Sequence, residues 1–218
     1  MQILKIRQDK RRPKFAVVEL DNNENYKVYK SVIKKYGLRK GDELNENKLN
    51  ELLQWDEFYR AKDVALKYFS YRQRSEYEIQ AKLTKSKFKP YIIKKVIDNL
   101  KSVGLINDLE FAECFAKNAL NKRLISKNLM KKKLLEKGIS KEIINNVLQK
   151  YFSNLDENAI VRKLAIKQLK KYQKLKPKST DKEHFIRLAA FLTRRGFSWD
   201  VISRVCRGML NINSVDEI

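Results

Sequence analysis

The sequence predicts a mainly α-helical protein: three tandem three-helix repeats forming an elongated molecule, with a small N-terminal β-meander ahead of them. Three observations predict it. The phrase KLLEKGISKEIINNVL (Lys133–Leu148) appears 51 residues earlier as KLTKSKFKPYIIKKVI (Lys82–Ile97) and 58 residues later as FLTRRGFSWDVISRVC (Phe191–Cys206). In it Leu83, Leu134 and Leu192 correspond, as do Phe88, Ile139 and Phe197, and Val96, Val147 and Val205. A fixed apolar grammar recurring at about 50 residues marks stacked supersecondary units. Second, each copy separates two amphipathic helices by a stop and a restart, most plainly Gly138–Ser140 and Gly196–Ser198. Third, residues 1–31 differ from the rest: they hold short segments rich in β-branched or aromatic residues, separated by turn chemistry.

Taken in order, Ile3–Arg7, Phe15–Leu20 and Tyr26–Ser31 read as three strands, separated by turn chemistry at Asp9–Pro13 and Asp21–Asn25. A sheet so small is marginal alone and has to pack on helices. Val32–Tyr36 predicts a helical turn ending near Gly37, and Asn45 starts a helical pattern that runs through Tyr59. The first repeat opens near Asp63 with a helix ending at YRQR, whose Tyr68, Phe69 and Tyr71 read as core. Ser75–Glu78 then has the spacing of a capping box, and Pro90 falls where a helix starts. Asn107–Glu110 caps the second repeat, Ser126 and Ser140 start its later helices, and Thr180–Glu183 is a further capping box in the third. LKPKST reads as a loop, and the tail from Asn211 as frayed. The expected divisions are 1–60, the β-rich segment plus a helix, then repeats at 61–112, 113–155 and 156–218.

Composition narrows the function. The net charge is +23, spread as +4 over residues 1–60, +5 over 61–112, +6 over 113–156 and +8 over 157–218. Such a distribution predicts a long charged face whose self-repulsion a polyanion relieves, nucleic acid before a membrane surface. Cys114 and Cys206 sit at apolar helical positions and predict buried free thiols in a reducing compartment. The N-terminal MQILKIRQDKRR has no apolar h-region, and no apolar run approaches the ~18 residues of a spanning helix, so a cytoplasmic protein is expected. His184 is the one histidine and accompanies no nucleophile pattern; no glycine-rich phosphate loop and no Cys/His cluster occurs. No enzyme activity, cofactor or metal is expected.

The basic residues are the site candidates. On the helix Ala159–Leu175, Lys163, Lys167, Lys170 and Lys174 project together within roughly 60°, opposite Val161, Leu164 and Ala165. Arg194, Arg195, Arg204 and Arg207 belong to the same repeat. Arg123, Lys127, Lys131, Lys132 and Lys133 cluster around the second helix of the second repeat. Nothing offers a base-reading arrangement, so phosphate contact with single- or double-stranded DNA, without sequence specificity, is expected. Trp199, beside the arginines, reads either as a contact anchor or as packing against the adjacent repeat.

YRQRSEYEIQAKL (Tyr71–Leu83), VGLINDLEFAECFA (Val103–Ala116) and the junctions at Gly138 and Gly196 resemble the RecX family, regulators of the RecA recombinase. The matching positions are Arg74, Ser75, Glu76, Leu83, Gly104, Asp108, Phe111 and Ala112, and the likeness covers roughly residues 60–210. The first 60 residues resemble the extension of longer members from low-GC Gram-positive bacteria. Leu124-Ile125-Ser126 departs from the glycine-containing junction of many relatives. The resemblance implies a modulator, not a catalyst, lying along RecA–DNA filaments and restraining ATPase, strand exchange and co-protease activity, within DNA recombination, repair and the SOS response; the chain itself is expected to be a monomer. The residues alone leave two other readings, a stand-alone nucleic-acid-binding protein and a protein-binding scaffold whose charge serves solubility.

Overall fold

The structure, a computed structural model, describes residues 1–122, 124–176 and 178–210; the tail from Asn211, Pro177 in the LKPKST loop and Arg123 lie outside the described residues. Strands β1 (Ile3–Gln8), β2 (Phe15–Leu20) and β3 (Asn25–Tyr29) form an antiparallel sheet in that order. Alternation along β2 turns Ala16, Val18 and Leu20 to the buried face. The third strand stops at Tyr29, short of the expected Ser31. Its partner there is Phe15, the first residue of β2; one more bond follows, from the Lys30 N–H to the Lys14 carbonyl at 3.0 Å, but Lys30 already opens the next helix. The chain enters α1 (Lys30–Tyr36) at once and leaves it through Gly37, at φ 59°.

Helix α2 (Glu46–Phe69) joins what the sequence suggested as two helices, one from Asn45 and one from Asp63. Neither glycine nor proline interrupts residues 59–64, and Ala61 and Ala65, both fully buried, continue one face. The Asn45 side chain accepts the Lys48 N–H at 2.8 Å and caps the helix. The sheet is fastened to α2 through Asp56, which is only 6% exposed. Its carboxylate accepts the Tyr29 backbone N–H at 2.7 Å and the Arg60 guanidinium at 2.5 Å. Arg60 in turn donates to the Lys27 carbonyl at 2.7 Å and lies over the Phe15 ring. An Asp/Arg pair four residues apart reads in sequence as surface charge; here it is the dock.

The repeats follow. Helix α2 packs with α3 (Glu76–Lys85) and α4 (Pro90–Ser102); α5 (Asp108–Lys122), α6 (Lys127–Glu136) and α7 (Lys141–Phe152) pack together; so do α8 (Glu157–Leu175), α9 (Asp181–Thr193) and α10 (Trp199–Leu210). Each trio closes on its own core, around Leu83, Leu134 and Leu192, all without exposure. The repeated phrase is one backbone device made three times. The N–H of Phe88 donates to the Leu83 carbonyl at 3.3 Å, Ile139 to Leu134 at 3.1 Å, and Phe197 to Leu192 at 3.4 Å. Between them the left-handed position is held by Lys87 (φ 63°), Gly138 (φ 72°) and Gly196 (φ 82°).

Side-chain caps restart the helices: Ser75, Ser126, Ser140 and Thr180 each accept the backbone N–H three residues on. The Thr180–Glu183 box is closed from both sides. At Ser75, Glu78 also grips Arg72 at two points, 2.7 and 3.0 Å. By its internal packing the chain divides into two compact units, one ending at Asn107 and one beginning at Asp108.

Two core expectations are corrected. Cys114 is exposed, while Cys206 is fully buried. On α5 the buried arc is Phe111, Ala112, Phe115, Ala116 and Ala119, and Cys114 points about 160° away from Ala112. Tyr71 is 74% exposed because α2 has already ended at Phe69; Tyr68 and Phe69 pack against the first-repeat core.

Candidate nucleic-acid and partner interface

Helix α8 carries six basic residues against one acidic. Its apolar face, Val161, Leu164 and Ala165, is buried in the third-repeat core. That fixes the rotation of the helix and turns Lys163, Lys167, Lys170 and Lys174 into solvent together; all four are exposed. Spacings of four, three and four residues distribute them along roughly 16 Å of helix. Among the described residues none of the four meets a carboxylate. Lys150 of α7 shows the contrast: its ammonium sits 2.7 Å from Glu113, which holds that carboxyl below its usual range. The four α8 lysines, in contrast, present their charge to solvent.

The other candidates do not form one patch. Lys127, Lys131 and Lys132 on α6 are exposed, and Lys127 and Lys131 share a face; Lys133 is half-buried on the side of the core. Arg194 and Arg204 are exposed. Arg207 is half-buried, with its guanidinium over the Phe185 ring and Nε enclosed without a hydrogen-bond partner. Trp199 is 53% exposed and meets Phe185 of its own repeat edge-on, which steadies an open indole face. His184 is buried, 3% exposed, within α9.

Arg195 is a structural residue. Its carbonyl accepts the Ser126 N–H at 3.0 Å, its guanidinium reaches the Leu124 carbonyl at 3.5 Å and lies over Phe191. Leu124 has φ 45°, a conformation glycine would adopt freely, and its side chain packs on the third-repeat core. The departure from the glycine-containing junction therefore preserves the turn and adds an apolar contact. Sequence reading missed this joint, because nothing in RLIS or TRRGFS marks a contact across about 70 residues.

No group of three or more His, Cys, Asp or Glu residues among the described ones is placed to hold a metal ion. No helix among them is long and apolar enough to cross a membrane. The motif positions that carry the family likeness are architectural. Arg74 stacks on the Tyr68 ring at 3.8 Å and donates to the Tyr68 carbonyl; Ser75 caps α3; Leu83, Phe111 and Ala112 are core.

Comparison with known proteins agrees with this geometry. Residues 61–100 match the model of the RecX first three-helix domain, and residues 156–206 that of the third. A regulatory protein RecX from Clostridioides difficile is 31% identical over 214 residues, 98% of each chain. The chain belongs to the RecX family. A second RecX relative, from Clostridium acetobutylicum, is 32% identical over 97% of this chain and 98% of its own. A crystal structure of a regulatory protein RecX, 25% identical, superposes with a TM-score of 0.69 over 94% of this chain and 98% of that one. The RecX of Lactobacillus salivarius shares the fold, with a TM-score of 0.54 over 72% of this chain and 99% of its own. RecX membership makes a regulatory role the established reading. The repeat phrase and its caps are then the family scaffold, and the basic faces are what this RecX chain displays on it.

Proposed function

We propose that this chain regulates the RecA recombinase by binding RecA–DNA filaments and restraining their ATPase, strand-exchange and co-protease activities, without chemistry of its own. The observation that carries this reading is the unpaired lysine stripe of α8, Lys163, Lys167, Lys170 and Lys174, in a chain of net charge +23. Its partner is polyanionic: the phosphates of filament DNA, met without sequence preference, or acidic filament surface. Lys127, Lys131, Lys132, Arg194, Arg204 and Trp199 are secondary contacts. Three repeats in one chain offer several weak contacts to a polymer, which add through effective concentration. The protein acts as a monomer in the cytoplasm, in recombination, repair and the SOS response.

The test is the DNA-dependent ATPase of RecA, titrated with the protein at several salt concentrations. Inhibition well below one copy per RecA protomer supports filament binding. Inhibition only at ratios that coat the free DNA favours a stand-alone nucleic-acid-binding protein. An ATPase unchanged at every ratio overturns the proposal. Changing the four α8 lysines to glutamine should reduce the salt slope of duplex binding by up to about 3.6, ~0.9 for each phosphate no longer neutralised; an unchanged slope removes the stripe as a DNA-binding face.

A further inference from the structure

A cleft of about 360 Å³ opens in the N-terminal unit, where the end of β3 meets the middle of α2. One wall is apolar: the rings of Tyr29 and Tyr59, 6.2 Å apart and within 25° of parallel, continue into Leu66, which is 38% exposed. The rim is cationic, with Lys14, Lys30 and Lys62 beside the Ser31 hydroxyl. A single carboxylate, Asp63, lines it, and its charge is taken by the Lys14 ammonium and the Tyr29 hydroxyl. Lys62 donates to a neutral partner, the Asn99 amide oxygen, at 2.7 Å, and keeps its charge. Lys30 is exposed, and its ammonium has no partner among the described residues. The cleft thus combines free positive charge with aromatic and aliphatic surface in a volume at the small end for ligand pockets.

We propose that this cleft holds one nucleotide of a single-stranded nucleic acid, its phosphate toward Lys30 and Lys62 and its base along the Tyr29–Tyr59–Leu66 wall. Bare phosphate has no use for the apolar wall. A duplex keeps its bases stacked and cannot offer one to it; a single strand offers both parts at once. The site lies in a different unit from the α8 stripe and does not depend on RecA.

Trp55 reports on the cleft. Its ring lies 6.2 Å from Tyr59, with the ammoniums of Lys35 and Lys95 at 3.6 and 3.7 Å on it. The chain has two tryptophans, so Trp199→Phe leaves Trp55 alone. The experiment uses the full chain with Trp199→Phe and with Lys163, Lys167, Lys170 and Lys174 changed to glutamine, which silences the stripe. It is titrated with a thymidylate tetranucleotide, with dTMP and with a short duplex, and Trp55 emission is read. The expected result is a saturable change, with the tetranucleotide tighter than dTMP and the duplex weakest. Adding Lys30→Gln and Lys62→Gln should flatten the salt slope by about 1.4, ~0.7 for each single-strand phosphate contact, while circular dichroism shows the fold retained. Three results overturn the proposal: no change at Trp55, a change that survives both substitutions, or equal affinity for dTMP and the tetranucleotide. Since RecA is absent from this assay, its failure and that of the filament reading are seen separately.

Discussion

The Ser126 hydroxyl donates to the backbone carbonyl of Gly196 at 2.6 Å, across the joint between the second and third repeats. The same oxygen accepts the Leu129 N–H at 3.1 Å and caps α6, so one buried hydroxyl starts a helix and holds the next repeat. Gly196 is required there twice over. It has φ 82°, and a Cβ would collide with Leu129 Cβ and lie 2.6 Å from Ser126 Oγ. Gly196→Ala should cost about 3 kcal/mol, combining backbone strain with overpacking. Ser126→Ala should cost about 2 kcal/mol through the lost cap and the stranded carbonyl. Urea midpoints of the two variants check both, and a Gly196→Ala variant as stable as the parent would refute the joint.

Lys87 occupies the left-handed position that Gly138 and Gly196 fill in the other repeats, at φ 63°. A lysine there carries a steric penalty of roughly 1–2 kcal/mol, against which glycine loses about 0.5–1 kcal/mol of chain entropy. Lys87→Gly is therefore expected to raise stability by about 0.5–1 kcal/mol, whereas Gly138→Ala, the reverse change, should lower it by a similar amount. Thermal midpoints of the pair measured side by side decide this.

Alkaline pH should loosen the N-terminal unit. Burial and the Asp63 carboxylate push the Tyr29 hydroxyl up to about 12, and burial with Glu51 does the same to Tyr36. Both hydroxyls are held protonated in the folded chain but ionise near 10 once unfolded. The stability they contribute is complete below about pH 10 and is lost as pH rises toward 12. Denaturant midpoints from pH 9 to 12 should fall in that window, and Tyr29→Phe should fall less steeply. A parallel fall would refute the assignment to Tyr29.

The two thiols should differ sharply. Cys114 is exposed, whereas Cys206 is fully buried and burial lifts its thiol to about 11. A thiol reagent at neutral pH is expected to label one equivalent in the native protein and two after denaturation. Rapid native labelling at both sites would show that the third-repeat core opens easily.

The helices and their grammar were legible from the residues alone. Leu83, Leu134 and Leu192, with the stops and caps around them, are local signals: helical period, left-handed turn and side-chain cap each act within a few residues. The α8 stripe was legible for the same reason, since one helix sets its spacing and one apolar face sets its direction. Where a reading failed, the deciding contact was distant or depended on rotation about a helix. Cys114 faces solvent because the α5 core arc excludes it. The apparent break between Tyr59 and Asp63 vanished because one buried face runs through it. Asp56 with Arg60 and the sheet, Ser126 with Gly196, and the cleft between β3 and α2 join residues about 30 to 70 positions apart. Only tertiary packing brings these together, because whether a buried charge or hydroxyl is satisfied depends on what the rest of the chain places beside it.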